Sequence, residues 1–333
     1  MSDNPSAPDA GLPDAGLPGP APAGTAPAGP APAGATPAGA AAGGPAASAL
    51  SPADAARAAR PAGAWALLVS ELRVLFARRR TWALLLALAA VPVLIAVAVR
   101  LAASTPQPGR GPPFLDQITQ NGLFVAMTGL IVSIPLFLPL TVGVVAGDTI
   151  AGEASLGTLR YLLVAPAGRV WLLSVKYLGA AAFCLAATVT VVTAGVLAGL
   201  ALFPVGPLTL LSGDTISLTE SFGRALLIAG YVTVSLLGLS AIGLFFSTLT
   251  TVPVGAMAAT IVLSVVAQVL DSLPQLDWLH PWLFSHYWLD FADLLRQPID
   301  YSSFASNALL QGGYLLVFGA LAYGRFVTKD ILS

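Results

Sequence analysis

Charge is what this chain has least of. Of its 333 residues only 9% are Asp, Glu, Lys or Arg, while 56% are hydrophobic. A soluble globular protein carries about 25% charged residues. A surface wetted by water is therefore excluded over most of the chain, and its solvent must be lipid. Lysine is scarcest: Lys176 and Lys329 are the only two. Neither stands in a Gly-x-x-x-x-Gly-Lys-[Ser/Thr] phosphate loop, so this chain cannot bind ATP by that route. The single cysteine, Cys184, lies in an apolar run. It excludes a disulfide framework and reads as a small hydrophobe. The stretch Gly238-Leu239-Ser240-Ala241-Ile242-Gly243 begins like a nucleophile elbow, but Ile242 stands where the second glycine is required. Ser240 reads instead as a packing or interhelical hydrogen-bonding residue. The start Met1-Ser2-Asp3-Asn4-Pro5 brings no basic stretch and no apolar stretch, so no cleavable signal peptide is expected. Catalytic residues, a cofactor, a bound metal and a nucleic-acid partner are all unexpected here.

What the chain does contain falls into three parts. Residues 1–60 are built of loose units such as Pro22-Ala23-Gly24 and Pro37-Ala38-Gly39. With nothing to bury, this cytoplasmic tail is expected to be disordered with polyproline II character, serving as a spacer. Residues 61–80 follow. Trp65, Leu68, Val69, Leu72, Leu75 and Phe76 share one helical face, with Glu71, Arg73 and Arg78 off it. The pattern predicts an amphipathic helix in the cytoplasmic interface, ending in Arg78-Arg79-Arg80. The plainer reading is a downward extension of the first membrane helix.

Residues 81–333 carry six apolar runs near 82–101, 123–146, 177–202, 225–246, 252–270 and 308–323. About 20 apolar residues cross the hydrocarbon core. The fold class expected is all-α, polytopic, with six transmembrane helices. Pro135 and Pro139 predict a kink in the second span, and Gln311-Gly312-Gly313 blurs the start of the sixth. The positive-inside rule sets the orientation. With the N-terminus in the cytoplasm, Arg57, Arg60, Arg73, Arg78, Arg79, Arg80, Arg160, Arg169, Lys176, Arg325 and Lys329 fall inside. Only Arg100, Arg110, Arg224 and Arg296 fall outside. Both termini are thus expected in the cytoplasm, with Arg78–Arg80, Lys176, Arg325 and Lys329 as topology anchors. The external segment 271–307 holds Trp278, Trp282, Tyr287 and Trp288 but is broken by Pro274 and Pro281. It predicts one or two short helices on, or dipping into, the outer leaflet. In a regular α-helix His286, Asp290 and Asp293 would share a face there, a possible metal set, though an aromatic interfacial belt is the commoner home for such histidines.

The most informative stretch is the cytoplasmic loop 147–176. Gly157 gives a turn, Thr158–Val164 is long enough for two helical turns, and Pro166 stops them. An ordinary connecting loop is the plain alternative. The run Glu153, Gly157-Thr158-Leu159, Leu162-Leu163, Pro166, Arg169 and Lys176 resembles the signature of the type-2 permease family of ATP-binding-cassette (ABC) transporters. The resemblance covers residues 65–333. It implies a permease without catalytic activity that pairs with a second permease copy or relative and works with a separate ATPase subunit. On that resemblance the loop helix seats in the ATPase, with Glu153 and Arg160 as charged contacts and Leu159, Leu162 and Leu163 as the apolar anchor. Substrate would cross the cell membrane by alternating access. The rivals are a secondary transporter needing no ATPase, disfavoured because no acidic pair lies deep in an apolar run, and a non-transporting anchor or regulator.

Overall fold

A computed structural model describes residues 61–103, 121–157, 169–204, 206, 208–209 and 215–328. The tail 1–60 lies outside the described residues, as do Thr158, Leu159, Arg160, Leu162, Leu163, Pro166 and Lys329 of the expected site and anchors.

The described chain is helical almost throughout. Helix α1 (Pro61–Ala77) opens on a proline, whose missing N–H costs nothing at a helix start. It passes directly into α2 (Arg79–Ala103). At the junction Thr81 Oγ1 donates to Leu75 O at 2.6 Å and Trp82 Nε1 donates to Phe76 O at 2.8 Å. Two carbonyls orphaned at the end of α1 are thereby satisfied, and the turn into the first span is fixed. The expected apolar face of α1 is only partly honoured: Leu68, Val69, Leu72, Leu75 and Phe76 are half-buried, while Trp65 is exposed. Glu71, expected off that face, is half-buried and turned inward.

The second apolar run forms two helices rather than one kinked helix: α3 (Phe124–Ser133) and α4 (Phe137–Ser155). Pro135 has no N–H to give, and Pro139 denies another to the ladder just beyond, so the backbone breaks at residues 134–136. Helix α4 then continues nine residues past the apolar run, taking up the first part of the predicted loop. Helix α5 (Arg169–Leu202) and helix α6 (Leu218–Leu249) are joined by a connection holding a two-residue antiparallel ladder, β1 (Leu208–Thr209) with β2 (Thr215–Ile216). Ser217 caps α6 by accepting from Glu220 N at 3.3 Å. Helix α7 (Pro253–Asp271) leads into three 3-10 segments, Pro274–Leu276, His280–Trp282 and His286–Leu295, before α8 (Ser302–Thr328). The predicted short outer helices are thus 3-10 turns. Helix α8 begins six residues before the apolar run, because Asn307 and Gln311 find partners inside the bundle.

Among the described residues six helices are long and apolar enough to cross a membrane: those within residues 79–102, 137–155, 170–202, 219–249, 253–271 and 302–328. Helix α6 is their centre. It packs on α4, α5, α7 and α8 and buries Ile228, Tyr231, Leu236, Leu239 and Ile242 completely. Helix α5 packs on α2 and α3. Gly199 of α5 meets Gly122 so closely that a Cβ on either would overlap the other's backbone; small residues let helix backbones touch in a membrane. Outward, Leu94, Leu197, Leu226, Val254, Leu309 and Leu316 are strongly exposed, Leu309 at 81%. Apolar surface on this scale is stable only against lipid.

Candidate functional site

The stems of the loop 158–168 carry most of the ionic contacts made between separate helices. The first stem is the end of α4. Gly157 terminates it with φ +69°, a left-handed position that costs glycine nothing. Its N–H reaches Ala154 O at 3.1 Å, one of the two bonds of a Schellman C-cap. The second stem is the start of α5, which Arg169 opens.

Lys176, two turns into α5, joins the two. Its side chain is 5% exposed, and Nζ donates to both carboxylate oxygens of Glu71 at 2.8 Å and to Glu153 Oε1. One ammonium therefore ties α1, α4 and α5 together, reaching back 105 residues to Glu71 and 23 to Glu153. Lys176 points into the protein rather than toward lipid headgroups. Glu153 likewise spends its carboxylate on Lys176. A lone ammonium this buried would be expelled or neutralised; two carboxylates keep it.

A second ion group sits beside the first. Asp148 Oδ2 accepts from Arg78 at 3.2 Å and from Arg80 at 3.3 Å, and Arg80 Nη2 lies 3.2 Å from Met257 Sδ on α7. Both arginines are nearly half exposed, so each pair is worth well under ~1 kcal/mol by itself. The cleft lined by Glu71, Arg78, Arg80, Asp148 and Lys176 holds only about 30 Å³. That is room for a water and not for a substrate. Arg79 is exposed, and Arg325 is exposed in the last turn of α8.

Just inside this layer Ser247 of α6 enters the backbone of α4. Its Oγ donates to Gly147 O at 2.8 Å and accepts from Ala151 N at 2.8 Å and Ile150 N at 3.0 Å. Gly147 O and Ala151 N are the pair an unbroken helix joins to each other, so the hydroxyl stands in the ladder itself. The end of α4 that carries Glu153 is thus pinned to α6 by one side chain.

The opposite end of the bundle is held by neutral groups. Gln311 donates to Phe284 O at 2.9 Å and to Asn307 Oδ1 at 3.1 Å, and accepts from Gly238 N at 3.2 Å. Asn307 donates to Ser235 Oγ at 2.8 Å, Trp288 Nε1 to Ser235 O at 3.0 Å, and Tyr231 to Tyr287 O at 2.7 Å. A Cβ at Gly238 would overlap Gln311 Oε1 and push that side chain off its bonds. Arg224, expected at the outer face, is buried and caps the last 3-10 segment by donating to Leu294 O and Arg296 O, each at 2.8 Å.

That segment overturns the single-face geometry considered for a metal. In a 3-10 helix the face repeats every three residues, and Ser285, Trp288, Phe291 and Leu294 are the buried set. His286 then lies about a third of a turn from Asp290 and Asp293. Its Nδ1 donates instead to Asp271 at 2.8 Å. Among the described residues no three His, Cys, Asp or Glu side chains are placed to hold a metal ion.

The sequence reading missed the joining of Glu71 to Lys176. A signal existed: each is an isolated charge of opposite sign on an otherwise apolar helix, and such charges need partners.

A family model described as ABC-2 family transporter protein matches residues 67–267. No curated protein matches the chain.

Proposed function

The chain belongs to the ABC-2 family of transporter proteins, and from that premise we propose that it is the permease subunit of an ABC exporter. On this proposal both termini lie in the cytoplasm, the bundle sits in the cell membrane, and a second permease copy or relative completes the pathway. A separate ATPase binds below. Its closure would drive alternating access for a substrate this chain does not identify.

One observation supports the reading above the others: the Glu71–Lys176–Glu153 cluster closes the base of the loop 158–168. Stems bonded to each other, and to α1, move as a unit. A push on the loop would reach α4, α5 and α1 together rather than being absorbed. In this proposal Leu159, Leu162, Leu163 and Arg160 meet the ATPase, with Gly157, Thr158, Pro166 and Arg169 shaping the loop between its stems. Glu153 acts from behind as a positioning residue rather than as a contact.

The test is affinity purification of the tagged full chain from native membranes in mild detergent, with co-purifying proteins identified by mass spectrometry. Wild type should bring down an ABC ATPase. A Leu159→Asp, Leu163→Asp variant that remains folded should lose it. A wild-type sample that captures no ATPase, under conditions that preserve a known ABC complex, would sink the proposal.

A further inference from the structure

At the end of α7 remote from Met257 lies a cleft of about 210 Å³, with an apolar floor that includes Trp288 and Leu289, whose polar groups no part of the loop or ion cluster explains. Its lining combines Asp271, Gln268 and Ser272 from the last turn of α7, Ser285 and His286 from the 3-10 region, and Pro135 from the break between α3 and α4.

Two features give the cavity a sign. Asp271 presents a carboxylate that is only partly used by the His286 Nδ1–H. The last turn of α7 brings a helix C-terminus, with about half a negative charge, to the cavity wall, while at Pro135 the C-terminus of α3 and the N-terminus of α4 meet and offset each other. Asp290 is close by but does not add to that charge, since its carboxyl is held above the usual range chiefly by burial, with His286 opposing the rise and Asp293 and Asp271 adding to it. His286 is the only lining group able to carry positive charge. A third feature is a polar group on the wall that no protein atom pairs. Ser285 lines the cavity, is 5% exposed, and its Oγ has no hydrogen-bond partner. A buried hydroxyl left so costs about 1–3 kcal/mol. Ordinary water would satisfy Ser285, but it would not answer the converging negative charge.

We propose that this cavity binds a primary ammonium group, held by the Asp271 carboxylate with the Ser285 hydroxyl and the Gln268 amide oxygen as further acceptors. The three N–H donors of such a group match three acceptors. The volume admits an aminoethyl unit, whether carried by a free amine or by a lipid headgroup. The assignment rests on geometry and charge, independently of any ATPase.

His280 and His286 are the only two histidines, so carbon-13 histidine labelling of the full chain gives two resonances. The labelled protein is placed in phosphatidylglycerol nanodiscs and titrated with ethanolammonium chloride, or with ethylene glycol as the neutral match. A parallel sample uses nanodiscs containing phosphatidylethanolamine. The expected result is a saturable shift of the His286 resonance by the ammonium and none by the glycol. Asp271→Asn should weaken binding about tenfold or more, and Ser285→Ala severalfold. A shift in phosphatidylethanolamine discs alone assigns the site to a lipid headgroup, and a shift with the soluble amine alone assigns it to a free amine. No shift from either source, an equal response to the glycol, or full binding by Asp271→Asn overturns the proposal and leaves a water-filled cavity. If Asp271→Asn does not fold, the ammonium-against-glycol comparison and Ser285→Ala decide alone. Since no ATPase is present, failure here leaves the permease reading untouched.

Discussion

The two ends of this bundle solve the same problem with different chemistry. At the end that carries the loop, four helices are joined by full charges: Lys176 to Glu71 and Glu153, and Arg78 and Arg80 to Asp148. At the other end, the 3-10 segment is joined to α6 and α8 by amides, hydroxyls and an indole that mostly address backbone carbonyls. Arg224, buried there, is also satisfied mainly by carbonyls. A charge pair between helices is a discrete link that fails when either partner is lost. A carbonyl network spreads the load over several bonds, each worth about 1 kcal/mol. The ionic end therefore has a single point of failure, and the neutral end does not.

Three substitutions would break or sharpen that contrast. The largest effect is expected from Lys176→Met. It leaves Glu71 and Glu153 facing each other without a cation, and removing one partner from a buried charge group costs roughly 3–5 kcal/mol. Thermal unfolding in detergent should show the loss, and adding Glu71→Gln and Glu153→Gln should recover much of it. If Lys176→Met melts like wild type, the cluster does not hold the loop stems. A middle effect is expected from Gln311→Leu, which strands Phe284 O and the Asn307 amide: about 1–3 kcal/mol on the same measurement. A loss as large as that of Lys176→Met would mean the neutral network is no more distributed than the ionic one. The smallest effect belongs to Asp148→Asn. With Arg78 and Arg80 nearly half exposed, it should cost under ~1 kcal/mol, and the difference from wild type should shrink as salt is raised. A salt-independent loss would show that Asp148 does more than pair with exposed arginines.

Much of this arrangement is legible in the chain, and the remainder is instructive. The six spans follow from apolar runs of the right length, and Gly157 and Pro135 announce the turn and the break that the structure has. The 3-10 segment was not read: an α-helical period was applied to it, and the third-residue spacing of Trp288, Phe291 and Leu294 shows only in their burial. Glu71 was placed off its helix face because one amphipathic helix, taken alone, gives a carboxylate no reason to turn inward. Lys176 was counted among topology anchors for the same reason: the positive-inside rule sees a basic residue near a span's end, not its partners. Ser247, in a run of small residues, gave no sign that it stands in the backbone ladder of α4.

The sequence by itself determined the solvent and the class of fold. Low charge and long apolar runs leave lipid as the only environment, and lipid leaves helices as the way to satisfy the backbone. Tertiary structure alone decided the partners of the few polar groups. In a low-dielectric interior an unpaired charge or amide is costly, so each one is placed by whichever distant group can meet it. That choice depends on how α1, α4, α5, α6 and α8 come together, and a linear pattern carries no record of it.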